Sequence, residues 1–159
     1  MKSDTTLNRD IKIIAKNRRA RHDYEIVQEF EAGIQLLGSE VKSLRNGKVS
    51  LQEAYAGFKR GNDEELFIFD MHINPYEQSS MQNHEPKRPR KLLLHRREID
   101  RLKVAVKERG FTIIPLAIYF SGHLVKLTIA LAKAKRKYDK RETKKERQSE
   151  REIRKKFRL

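Results

Sequence analysis

Apolar and polar residues alternate through residues 23–30. Tyr24, Ile26, Gln28 and Phe30 interleave with Asp23, Glu25, Val27 and Glu29, the period-2 signature of a half-buried strand. Gly33 then predicts a tight turn into Ile34–Leu37. Further β-rich runs are Ala54–Lys59, Leu66–Ile73, Phe111–Phe120 and His123–Leu131, the last two flanking a hairpin signal at Ser121–Gly122. In the final run Val125, Leu127, Ile129 and Leu131 share one face, with Lys126 and Thr128 on the other. Pro115 removes a ladder donor from the preceding run and predicts an edge or a bulge there.

The period changes to helical between His95 and Arg109. Ile99, Leu102 and Val106 fall on one stripe beside Ala105, and Gly110 supplies a stop. A shorter helix is predicted around Ser39–Leu44, ahead of Asn46–Gly47. From Ile73 to Leu92 no periodicity survives, and Pro75, Pro86 and Pro89 mark a loop long enough to imply function. Short strands with a helix before the last hairpin predict a mainly β protein, a small closed barrel of the OB type with inserted helices.

Charge divides the chain. The net is +5 over residues 1–22, +1 over 23–132 and +9 over 133–159, within a total of +15. The expected organisation is a basic N-terminal arm (1–22), a near-neutral barrel domain (23–132) and a basic C-terminal tail (133–159). The tail carries too little apolar surface to offset chain entropy, so it is expected to be disordered, or helical on binding. Its Glu150–Arg154 and Glu152–Lys156 pairs have the favourable i,i+4 order, and Ile153 and Phe157 make a small apolar spot at the same spacing.

This charge calls for a polyanionic partner. Cys is zero, which excludes thiolate chemistry, disulfides and cysteine zinc sites. No apolar run approaches the ~20 residues of a membrane span. The N-terminus lacks the apolar core of a secretory signal, so a cytoplasmic location is expected.

Three segments carry candidate chemistry. Asn17-Arg18-Arg19-Ala20-Arg21-His22 would set guanidiniums beside a sheet edge, where phosphates could be clamped; a solvated basic arm is the equal alternative. In Pro86–Arg97, four of residues 87–91 are basic. Leu92, Leu93 and Leu94 cannot all face one way, so one leucine is expected to lie exposed beside cations, as a surface for splayed RNA bases requires. Gly47-Lys48-Val49-Ser50 resembles the end of a phosphate loop, but Lys42 stands where the upstream Gly belongs, so no nucleotide site is expected. Glu40, Lys42 and Arg45 are left as a solvated helical face. The five histidines have no metal-type spacing and no nucleophile elbow is present, so neither an enzyme nor a cofactor or metal is expected.

In order along the chain, residues 17–51 (NRRARHDYEIVQEFEAGIQLLGSEVKSLRNGKVSL), HINPY, PKRPRKLLLHRREI and YDKRETKKER resemble the SsrA-binding protein (SmpB) family over nearly the whole length. The resemblance implies an OB-type barrel that binds the tRNA-like domain of transfer-messenger RNA (tmRNA) and delivers it to stalled ribosomes for trans-translation. The tail then enters the empty mRNA channel. It also implies no catalytic activity and, as expected here, a monomeric protein.

By the same resemblance the RNA-binding residues are Asn17, Arg19, Arg21, His22, Glu31, Lys91 and Leu93. Glu31, a carboxylate facing RNA, would either accept from a base amino group or orient Arg21 or another arginine. The tail residues expected at the small-subunit decoding centre and channel are Lys135, Arg136, Tyr138, Asp139, Lys140 and Arg141, with Ile153 and Phe157 further along. One departure is Ala134, where the family usually has a glycine that would leave a hinge freer. Without the resemblance, a ribosomal protein with rRNA-threading arms fits the same composition, and an RNA-modifying enzyme using His22 or Glu31 is the third class.

Overall fold

A computed structural model describes residues 10–59, 61–78 and 83–135. Their elements run β1 (Ile11–Lys16), α1 (Ala20–Asp23), β2 (Tyr24–Ile34), α2 (Gly38–Arg45), β3 (Val49–Ser50), β4 (Tyr55–Lys59), β5 (Asn62–Phe69), β6 (His72–Ile73), β7 (Arg90–Leu93), α3 (Arg96–Arg109), β8 (Thr112–Ser121) and β9 (Leu124–Ala134). The protein is mainly β. Its large sheet has the order β1-β8-β4-β5-β7-β2-β9, and β9 pairs back onto β8. The pairings of β8, β4, β5, β7, β2 and β9 therefore form a ring, with β1 added to β8 outside it. β3 and β6 form a separate two-stranded ribbon.

Every ring strand contributes to one core. Phe30, Ala32, Ala56, Leu66, Ile68, Leu92, Ile113, Ile118, Leu127, Ile129 and Leu131 are buried together with Leu44 of α2 and Leu102 of α3. A second, smaller cluster lies on the opposite face of the sheet, where Ala20 of α1 packs with Ile114, Leu116, Ala130 and Ala132. The middle of β9 is thus buried on both faces, which explains its nearly unbroken apolar sequence.

Two bulges set which residues face the core. Between Ile26 and Gln28 the β2–β9 register shifts by one, so Tyr24 and Ile26 pack against the outer cluster while Phe30 and Ala32 enter the main core. Strict alternation had put Tyr24, Ile26 and Phe30 on one face; the extra residue reverses the parity. A matching shift between Pro115 and Ala117 in β8 accommodates the proline inside a strand paired on both sides.

Several expectations need correction. Gly33 is no turn: it lies within β2, opposite Leu93 on one side and Lys126 on the other. The run Leu66–Ile73 is broken at Asp70, whose φ of 56° ends β5 before β6 begins. The hairpin between β8 and β9 turns at Gly122 and His123, one residue later than expected, with Gly122 at φ 61°. Part of the expected N-terminal arm is built into the sheet, because Ile11–Lys16 pairs antiparallel with β8. The expected loop from Ile73 to Leu92 ends early, because residues 90–93 form a strand bridging β5 and β2.

The helices match their signals closely. α3 begins at the expected place, where Glu98 Oε1 accepts the His95 N–H at 3.3 Å, and ends at Gly110 with φ 68°. α2 starts the same way: Glu40 Oε1 accepts the Leu37 N–H at 2.8 Å.

Candidate nucleic-acid interface

Glu40 has a second role that changes the meaning of the basic run at 87–91. It and Arg90 are fully buried, and the Arg90 Nε donates to Glu40 Oε2. Arg88 Nη2 donates to Glu40 Oε1 at 2.5 Å, while Arg90 also donates to the carbonyls of Met71 (2.7 Å) and Pro86 (3.0 Å). Burial pushes the Glu40 carboxyl up, but the hydrogen bonds from Arg88, Leu37 and Arg90 together outweigh it and hold the group below its ordinary range. Glu40 is thus buried rather than solvated, and two of the four cations, the buried Arg90 and the partly exposed Arg88, are committed to it. Lys87 and Lys91 remain at the surface.

The same anchor holds the loop between β6 and β7. His84 is buried, its Nε2 2.9 Å from the Ile73 carbonyl and its Nδ1 2.9 Å from Ser39 Oγ. A carbonyl only accepts, so in the neutral tautomer the ring proton sits on Nε2 and Nδ1 accepts from the serine. Together with Glu40, this fixes the point at which the chain enters β7.

β7 alternates cleanly. Arg90 and Leu92 point into the core, while Lys91 and the 46% exposed Leu93 point out. The outward face continues across the sheet by register: Leu93 lies opposite Gly33, Gly33 opposite Lys126, Lys126 opposite Tyr119, and Tyr119 opposite Ile13. A Cβ on Gly33 would come within 3.3 Å of Leu93 Cβ, so the glycine lets Leu93 lie close over β2.

Glu31 stands on this face, two residues before Gly33. Its Oε1 accepts from Lys126 Nζ at 2.5 Å, and a hydrogen bond from Tyr119 adds to it. The Lys126 hydrogen bond holds the carboxyl below its usual range. Tyr119 is pushed up to about 12, by burial first and by Glu31 second. The carboxylate therefore orients a lysine. Arg21 is engaged elsewhere, with Glu29 at 2.8 Å.

That Arg21–Glu29 pair ties the N-terminal turn to the same face, since Glu29 and Glu31 are two apart on β2. Asn17 anchors the turn: its side-chain amide donates to the Pro115 carbonyl at 3.0 Å, and its backbone N–H to Leu116 at 2.8 Å. The bulge in β8 thus presents the carbonyl that holds Asn17. Arg19 begins α1 and is exposed. His22 Nδ1 lies 3.0 Å from Asp23 Oδ1, which leaves Nε2 as the outward acceptor when the ring is neutral. Lys135 closes the turn from the other side, its N–H donating to Asp23 O and its Nζ to Arg21 O, each at 3.0 Å.

Glu31, Lys91 and Leu93 accordingly lie along one outer face with Arg21, which reaches it through Glu29, while Asn17, Arg19 and His22 lie on the N-terminal turn that this pair ties to the face. Sequence reasoning missed Lys126 and Tyr119 as members. The outward position of Lys126 was legible from alternation, but its pairing with Glu31, 95 residues away, depends on register. Arg136, Tyr138, Asp139, Lys140, Arg141, Ile153 and Phe157 lie outside the described residues. Among the described residues no cluster of His, Asp or Glu has the grouping of a metal site, and no helix is long and apolar enough to cross a membrane.

The family model for SmpB protein matches residues 14–159. The SsrA-binding protein of Carboxydothermus hydrogenoformans is 52% identical over 147 residues, covering 92% of this chain and 97% of that protein. The SsrA-binding protein of Moorella thermoacetica is also 52% identical, over 148 residues, covering 92% and 94%. A chain of the solved structure described as "tmRNA-SmpB: a journey to the center of the bacterial ribosome" superposes with a TM-score of 0.64 at 46% identity, covering 80% of this chain and 92% of that one. With a family match spanning nearly its whole length and relatives at half identity, this chain belongs to the SmpB family.

Proposed function

We propose that the protein binds the tRNA-like domain of tmRNA and delivers it to stalled ribosomes, rescuing them by trans-translation. Family membership and the likeness to a chain from a tmRNA-SmpB structure support this reading. The observation that carries it is the single outer face on which Arg21, Glu31, Lys91 and Leu93 converge. Cations flanking an exposed leucine and an oriented lysine suit a folded RNA, which offers phosphates and unstacked bases together.

In this reading the ring of strands is a closed barrel of the OB type, and its outer face holds the RNA. Asn17 positions the turn, Arg19, Arg21 and His22 meet the RNA backbone, and Glu31 acts through Lys126. The tail from Arg136 onward, with Tyr138, Asp139, Lys140 and Arg141 near the decoding centre and Ile153 and Phe157 further along, enters the empty mRNA channel. The protein works in the cytoplasm as an adaptor, without catalysis.

The test is to crosslink the protein in living cells, recover it and sequence the attached RNA. Strong enrichment of tmRNA, with the protein substoichiometric to ribosomes, is the expected result. Uniform recovery of rRNA with one copy per subunit would replace this reading with that of a ribosomal protein.

A further inference from the structure

The outer face carries a second group of side chains beyond Lys91, on the β4–β5 hairpin. Tyr55 lies opposite Phe69 and Gly57 opposite Phe67, while Ala56 and Ile68 between them are in the core. Tyr55, Phe67 and Phe69 therefore point outward together. The Tyr55 and Phe69 rings stack with centroids 5.4 Å apart, and Phe67 lies 6.5 Å from Phe69. Lys59 Nζ stands 4.3 Å above the Phe67 ring. Tyr55 is 45% exposed, and a Cβ on Gly57 would sit in ordinary contact with the Phe69 ring, at 3.7 Å.

Register connects this group to the interface above, because Phe67 is directly opposite Lys91. One acid of the same strand, Glu65, is 3.4 Å from Lys91 Nζ and so is partly neutralised. Three aromatic rings on a solvent face, flanked by Lys59 and Lys91, match a partner that presents flat π-faces and phosphates side by side. Unpaired nucleotides have both, whereas an apolar protein segment would gain nothing from the cations.

We propose that Tyr55, Phe67 and Phe69 form a stacking platform for an unpaired base of the bound RNA, extending the interface from Lys91 across β5 to β4. This rests on the RNA-binding reading above. Tyr55 supplies the open ring, Phe69 and Phe67 support it from beside on the same face, and Lys59 meets the adjoining phosphate.

The experiment titrates wild type, Tyr55→Phe, Tyr55→Leu and Lys59→Gln with a transcribed tRNA-like domain of tmRNA at several salt concentrations, with thermal melting of each variant. Tyr55→Phe should bind within about twofold of wild type, and Tyr55→Leu about tenfold more weakly with an unchanged salt slope, because stacking displaces no counterions. Lys59→Gln should lower the salt slope by about one. A second readout needs no variant: ultraviolet crosslinking of the wild-type complex should attach RNA to the peptide containing Tyr55. Wild-type affinity in a folded Tyr55→Leu protein would overturn the platform while leaving the parent reading standing. Absence of binding by wild type itself would overturn the parent reading.

Discussion

Arg90 and Glu40 are both sealed from solvent and bonded to one another, although the first lies in a strand and the second fifty positions earlier in a helix. Removing one partner strands the other charge in the interior. Glu40→Ala should therefore destabilise the protein by about 3–5 kcal/mol, measured by urea unfolding, with Arg88 and Arg90 left uncompensated. The folded-state pKa of Glu40 is lowered, so its contribution is fully present above the ordinary value of 4.5 and is lost as pH falls through the folded value. Wild type should lose stability over that acid window, and Glu40→Gln should show a flatter profile there.

Adjacent leucines make a sharper separation of fold from function. Leu92 is buried and Leu93 is half exposed beside Gly33. Leu92→Ala should cost about 2–5 kcal/mol of stability. Leu93→Ala should leave the melting temperature nearly unchanged while weakening tmRNA binding. Comparable loss of stability in both variants would remove Leu93 from the interface.

How much of this was legible beforehand depends on the range of the interaction. The α3 boundaries and, to within one residue, the β8–β9 hairpin follow from a glycine stop and a turn pair, and the missing donor at Pro115 leaves an edge or a bulge, of which the strand takes the bulge. The exposed leucine beside Lys91 was also foreseeable, since three consecutive leucines cannot all face one way. What alternation cannot reveal is a one-residue insertion. The bulge after Ile26 moves Tyr24 and Ile26 to the opposite face without any mark in composition. Nor can a run of basic residues disclose that Arg88 and Arg90 are consumed by a buried acid while Lys87 and Lys91 are not. That distinction comes from the strand period of β7 combined with a helix contributed from elsewhere.

Glu31 and Lys126 give a test of coupling. If the carboxylate acts by holding the lysine, then Glu31→Ala and Lys126→Ala should each weaken tmRNA binding, and the double variant should be no worse than Lys126→Ala alone. Lys126→Ala should also reduce the salt slope by about one. Additive losses would mean that Glu31 touches the RNA independently.

Lys135 clasps the N-terminal turn, which sets where a truncation can separate the protein's tasks. Ala134 is still paired with Tyr24, and Lys135 holds the carbonyls of Asp23 and Arg21, so a cut before either would disturb the turn that carries Arg21 and His22. A chain ending at Lys135 keeps every one of these bonds. It should bind tmRNA as the full-length protein does, in a filter-binding titration, yet fail to support tagging on ribosomes stalled by a truncated message. Ending the chain at Lys133 instead should weaken tmRNA binding as well, because the turn loses its clasp. Equal defects in binding and tagging for the chain ending at Lys135 would mean that the tail, too, contacts the RNA.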